Sequence, residues 1–281
     1  MMKQSWMLSV VCAQAVLGLA QVRAVETPLP DVRMLMSDVQ AHQRKLDAVR
    51  ESYTYTARRT VQDVDGNGRV TKTEQAEFET FFVNGHLIER QMKKDNKPLD
   101  AHDEQKETER VTKLVEKAEK TPRGQTLDGQ TISIGRLLEI MDVRNERRIA
   151  YRGRPTIVFD FVGRKDAKTH GVLEDASKKI EGTLWVDETD RQVAHLEARF
   201  VDNFHVVGGV FANVQKGSYF KFDQGPLDEG LWLPTGGEGS VQVRVLLVKN
   251  VRQRFIEYDG DFKRFRVETQ QHESKTAATP K

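Results

Sequence analysis

From Tyr53 to about residue 267 the chain repeats one device: runs in which β-branched, aromatic and aliphatic residues alternate with polar ones, each closed by a short turn rich in Gly, Asn or Asp. YTYTARRTVQDV, a turn at DGNG, then RVTKTEQAEFETFFVNG and HLIERQMKKD make the first group. RRIAYRG, RPTIVFDFVG, KIEGTLWVDE, QVAHLEARFVD, FANVQKGSYFKFD, GLWLPTGGEGSVQVRVLLVKNV and RQRFIEYDGDFKRFRVE make the second. Alternation sends successive side chains to opposite faces of a sheet, and turns this short make sequential antiparallel pairing the economical topology. Such a sheet must cover one face, and the helical patterns available for that are few. Val32, Leu35, Met36, Val39, Leu46 and Val49 predict an amphipathic helix over 31–51, started by Pro30-Asp31. The charged segment 100–120 predicts a solvated helix with a narrow stripe of Val111, Leu114, Val115 and Ala118, shaped like a lid or an arm. IGRLLEIMD predicts a short helix and LEDASKK one further turn, while 121–131 reads as loop. The fold class expected is α+β, mainly antiparallel β.

The N-terminus carries Lys3 and an apolar run from Trp6 to Ala20, too short to span a bilayer and ending in small residues. We read residues 1–24 as a cleavable export signal. Cleavage after Ala20 or Ala24 fits, and Ala24 is preferred because Glu26, Pro28 and Pro30 then open a polar mature chain. Cys12, the only cysteine, lies inside the apolar run and follows Val11, so it does not resemble a lipidation site; the mature chain is left without disulfide or thiol chemistry. Residues 25–270 are expected to form a single domain, and the polar end 271–281 a disordered tail. With 44 basic and 42 acidic residues the net charge of +2 is too balanced to argue for nucleic acid. A soluble periplasmic monomer is the expectation.

DVDGNGRVTKTE matches a calcium-binding EF-hand loop at Asp63, Asp65, Asn67 and Glu74. That motif needs flanking helices, whereas its flanks here alternate as strands and Asp-Gly-Asn-Gly is a strong hairpin turn, so the hairpin is favoured over calcium. The seven histidines show no metal or hydrolase spacing and no serine sits in a nucleophile elbow. No cofactor is expected, and no enzyme. The strand aromatics are the informative set: Tyr55, Phe78, Phe159, Phe161, Trp185, Phe220 and Trp232. Each alone reads as core. Together, on a long sheet with few helices to cover it, they predict a concave face that holds an apolar ligand.

The order of elements, with the segments DNKPLD and its charged helix, RGRPTIVFDF, IEGTLWVDETDRQVAHLEARF, GSYFKF and GLWLPTGGEG, resembles the outer-membrane lipoprotein-sorting carriers and their uncharacterised secreted relatives. The resemblance implies a curved, incomplete β-barrel whose concave face is covered by helices and shelters acyl chains of a lipid or lipoprotein. It also implies a second use of the fold, as an envelope sensor or adaptor that binds a protein partner. The leading expectation is therefore a non-enzymatic periplasmic carrier with the seven aromatics as its lining. The alternatives are the adaptor and a secreted calcium-binding structural protein acting through residues 63–74.

Overall fold

The computed structural model describes residues 28–123, 127, 134–206, 212–228, 231–245 and 249–264. The expected export signal and tail lie outside the described residues, as does most of the 121–131 loop. Helix α1 (Val32–Arg50) precedes strands β1 (Tyr53–Val64), β2 (Val70–Val83), β3 (His86–Lys94) and β4 (Lys97–Pro98), and helix α2 (Ala101–Lys120) follows them. Helix α3 (Ile134–Ile140) leads into β5 (Met141–Tyr151) and β6 (Arg154–Gly163), and α4 (Val172–Ser177) into β7 (Ile180–Asp187) and β8 (Gln192–Phe200). The short β9 (Phe204–Val206) and β10 (Ala212–Val214) are followed by β11 (Tyr219–Asp228), β12 (Leu231–Val245) and β13 (Lys249–Arg264).

All strands belong to one antiparallel sheet of 13, in the order β4-β3-β2-β1-β13-β12-β11-β8-β7-β6-β5, with β9 and β10 beside β12. The sheet does not close: β3–β4 form one edge and β5 the other. With its few helices it is an incomplete half-barrel of the α+β class, as expected. Pairing is sequential inside each meander, except that β8 pairs with β11 past β9 and β10. What sequential reasoning does not give is the β1–β13 seam, from Tyr53↔Arg264 to Asp63↔Gln253, which joins the two meanders into one sheet.

Helix α1 is capped by Asp31, whose side chain accepts from the Met34 N–H at 2.9 Å. Its Leu35, Met36 and Val39 are buried with Leu137, Leu138 and Met141 against Ile157, Phe159, Phe161, Leu184, Val186, Val193 and Leu196. That is the main core, on the concave face of β6–β8. The second half of α1 is fastened by polar contacts instead: His42 Nδ1 to the Asp190 carbonyl at 3.0 Å and Gln43 to Gln192 at 2.9 Å. Arg50 reaches Gln224 at 2.8 Å.

One row of the concave face runs Phe161–Gly182–Ala198–Phe220–Gly239–Phe255 across six strands. Here rings lie over residues without side chains. A Cβ at Gly182 would run into the Phe161 ring and the Glu197 carbonyl, and one at Gly239 into the Phe255 ring.

Two boundaries differ from expectation. IGRLLEIMD stops being helical at Ile140, and β5 starts at Met141 rather than near Arg147. Pairing explains this: Met141 opposes Gly163 and Val143 opposes Phe161, which sends both toward the core, and that gain overrides local helix preference. FANVQKGSYFKFD is two strands, broken by a turn in which the Ser218 N–H donates to the Gln215 carbonyl at 3.2 Å.

Candidate functional site

The seven aromatics read from the sequence as one lining do not share a site. Phe159 and Phe161 are fully buried and packed under α1, so they are core rather than a vacant surface. Trp185 pairs with Val158 and His195, one position out of step with Leu184 and Leu196, and therefore projects from the opposite, convex face. Trp232 is buried in a polar knot: its Nε1 donates to Asp190 at 3.0 Å and the Arg154 guanidinium lies 5.6 Å above its ring. Tyr55 is buried against Phe262 at 5.3 Å. Only Phe78 and Phe220 remain half-exposed on the concave side, and three strands separate theirs in the sheet. Composition located the aromatics on strands; which of them share a face depends on register, and Phe161 opposite Gly182 puts Trp185, three positions on, on the other face.

A large opening lies elsewhere, between α1, α3 and the β5 edge. It is an open cleft of about 1120 Å³ whose floor is Val32, Met36, Leu138, Met141, Val143 and Ala167. Three of these, Met36, Leu138 and Met141, also belong to the buried core, so the cleft is an extension of the core into solvent. Its rim is charged: Arg33, Arg136, Glu139, Arg164 and Lys168. Arg136 is held in place by Glu174, both oxygens at 3.0 Å, by Glu139 at 2.8 Å and by the Lys168 carbonyl at 2.5 Å. Burial alone would raise the Glu174 carboxyl. The Arg136 guanidinium and the His170 N–H outweigh that and hold it below the usual range, so this corner is a fixed ion pair. An apolar floor under a polar rim suits an amphiphile: chain inside, head group at the mouth. Sequence reasoning missed the site because Met141 fell in a segment read as helix and Val143 in the stretch between that helix and the strand expected from Arg147.

A second concave cluster sits on β1, β2, β3 and β13. Arg59 bridges Glu89 at 2.7 Å and Glu257, and its guanidinium lies 4.8 Å over Phe78. Asp259 shares that face, and its Oδ1 is buried without a hydrogen-bond partner among the described residues. Burial, then Glu257 and Glu89, push its carboxyl up to about 7 against the pull of Arg59. The same carboxylates and burial raise the Tyr55 hydroxyl. This is a polar structural junction of the β1–β13 seam.

Residues 63–74 form the expected β1–β2 hairpin. Asp65 accepts from the N–H groups of Asn67 at 2.8 Å and Arg69 at 2.9 Å, Glu74 pairs with Lys72 at 2.6 Å, and Asp63 accepts from Gln253 at 2.9 Å. Among the described residues no set of side chains is grouped to hold a metal. Helix α2, expected as a lid, covers a sheet edge instead. Its Glu107 accepts from the Gln91 N–H at 2.6 Å, its Arg110 donates to the Glu89 carbonyl at 2.5 Å, and the two pair at 2.7 Å. Together they occupy the backbone groups that a further strand would use.

No family model matches the chain, and no curated protein matches it significantly. Among solved structures it aligns with a putative outer membrane lipoprotein-sorting protein domain from Vibrio parahaemolyticus, over 85% of this chain and 95% of that one, at 8% identity and a TM-score of 0.35. Similarity of that degree transfers no residue roles. None of the described helices is long and apolar enough to cross a membrane.

Proposed function

We propose that this protein is a non-enzymatic envelope carrier that holds the acyl chain of a lipid or lipoprotein in the cleft between α1, α3 and β5. The observation that supports it is the cleft itself: an open volume of about 1120 Å³ on an apolar floor continuous with the core. It lies at the upper end of the sizes of ligand sites, which run from roughly 300 to 1,000 Å³. Burying ten methylenes there would contribute about 8 kcal/mol before the costs of association. The charged rim would meet the head group, and the export signal read from residues 1–24 agrees with work in the periplasm. The reading is close to the carrier expected from the sequence, but its lining is different: Val32, Met36, Leu138, Met141, Val143 and Ala167 replace the seven strand aromatics.

Titration with a fluorescent fatty acid tests it. Val143→Trp fills the cleft from β5 and Val32→Trp from α1. Each should weaken binding at least about tenfold while leaving the melting temperature close to that of the parent. Binding that neither variant changes, or no binding by the parent, would remove the carrier reading.

A further inference from the structure

The convex face of the sheet carries a second recess, of about 380 Å³, with different chemistry. A cross-strand row runs Trp185–His195–Asp223–Gly236–Tyr258 over β7, β8, β11, β12 and β13. At Gly236 that row lacks a side chain. The residue sits at φ 143°, and a Cβ there would strike the Glu257 carbonyl, so the gap is built into the backbone. Strands are about 4.8 Å apart, which places Asp223 and Tyr258 about 10 Å from each other across a bare floor. A bulge leaves Thr235 unpaired beside Gly236, and Thr235 also lines the recess.

The two walls are unlike. Tyr258 is 65% exposed, and among the described residues its ring stacks on nothing and its hydroxyl bonds to nothing. On an antiparallel sheet face turned to solvent, a bare aromatic beside a notch is a platform waiting for a flat partner. The opposite wall is polar and held in position. Asp223 Oδ1 accepts from Arg152 at 2.6 Å and faces His195 Nδ1 at 2.9 Å, while its Oδ2 has no partner among the described residues. His195 is itself packed edge-on to Trp185 at 4.7 Å and against Tyr151 at 5.8 Å. Lys221, bonded to Glu238 at 2.9 Å, bounds the recess on another side.

We propose that this notch binds a pyranose unit of an uncharged glycan. The ring would stack its C–H face on Tyr258 and present vicinal hydroxyls to Asp223, Arg152 and the Lys221–Glu238 pair. A carboxylate beside a guanidinium offers acceptors and donors together, which is what hydroxyl pairs require. Arg152 and Lys221 are outnumbered by Asp223, Glu197 and Glu238 around the recess, so an anionic head group or phosphate is disfavoured. The polar walls disfavour an acyl chain. The sheet itself separates the notch from the cleft, because Trp185 and His195 project away from the face that carries Leu184 and Leu196. The inference therefore stands or falls independently of the carrier reading.

Calorimetric titration of the full chain with chitotetraose, cellotetraose and maltotetraose tests it. At least one should bind with a dissociation constant of about 1 mM or tighter. Tyr258→Ala should weaken that binding about tenfold or more, Tyr258→Phe should retain it, and Val143→Trp in the cleft should not affect it. The exposure of Tyr258 makes its replacement harmless to folding, which a matched thermal melt of Tyr258→Ala checks. The proposal is overturned if none of the three sugars binds, if Tyr258→Ala binds as well as the parent, or if Val143→Trp abolishes the sugar response.

Discussion

Two regions of the same sheet are held together in different ways. Strands β6–β8 bury one face completely: Ile157, Phe159, Leu184, Val186, Val193 and Leu196 pack under α1 and α3, and the intervening Thr156, Val158 and Ala194 are buried as well. Strands β13, β1 and β2 are longer, and most of their residues are only half-buried or exposed. Their cross-strand contacts are ionic: Arg59 with Glu89 and Glu257, Arg58 with Asp261 at 2.5 Å and Glu77 at 3.5 Å, and Lys93 with Glu77 at 2.8 Å. Exposed pairs of this kind are each worth about 0–1 kcal/mol. The first region is thus stabilised by removing apolar area from water, and the second by its backbone ladder with a modest electrostatic supplement. A site that extends an apolar core belongs in the first region, and that is where the cleft lies.

The comparison breaks most visibly at Phe159. Phe159→Ala removes a fully buried ring from beneath α1 and should cost about 3–5 kcal/mol in chemical denaturation. A loss no larger than that of a half-exposed strand position would mean that the β6–β8 face is not the core.

The next largest effect is on the ionic side and has the opposite sign. The Asp259 carboxyl lies at about 7 in the fold, above its ordinary value of 3.8. A raised value means that the folded state holds the proton more tightly, so the contribution of this group is intact below pH 4 and is lost as the pH climbs to and through 7. Asp259→Asn should therefore stabilise the protein at pH 8 by about 2 kcal/mol, with screening by solvent limiting the gain, and its advantage should vanish near pH 4. Paired melts at the two pH values check it.

The smallest effect sharpens the comparison at the sheet edge. Glu107→Ala uncovers the Gln91 N–H and frees Arg110 from its partner, which should cost about 1 kcal/mol and increase light scattering on heating. Among the described residues the β5 edge has no such helix, and it carries other devices, a bulge between Arg144 and Arg147 with Asn145 at φ 56° and a run of arginines.

Much of the fold was legible in advance because its signals are local. Asp31 and Asp100 begin α1 and α2 as N-caps, and the Asp65–Gly68 turn folds the β1–β2 hairpin. The site was not legible, for two physical reasons. Which face an aromatic occupies depends on register, and Trp185 falls on the face opposite Phe161 because Phe161 pairs with Gly182, three positions before it. The cleft also depends on Met141 and Val143 being strand residues, which is decided by their distant partners Gly163 and Phe161 rather than by their neighbours in sequence. The edge-covering role of α2 was hidden for a similar reason: Glu107 and Arg110 look like ordinary solvated charges until β3 is placed beside them.

The central claim, that the α1–α3–β5 cleft takes an acyl chain, is tested most directly with methionine-methyl labelling and a spin-labelled stearate. Met36 and Met141 line the cleft, whereas Met92 stands on β3 at the far edge of the sheet. The account predicts that the Met36 and Met141 resonances broaden on addition of the stearate and recover when the label is reduced, with Met92 unaffected. Equal broadening of all three, or none at Met36 and Met141, would contradict it.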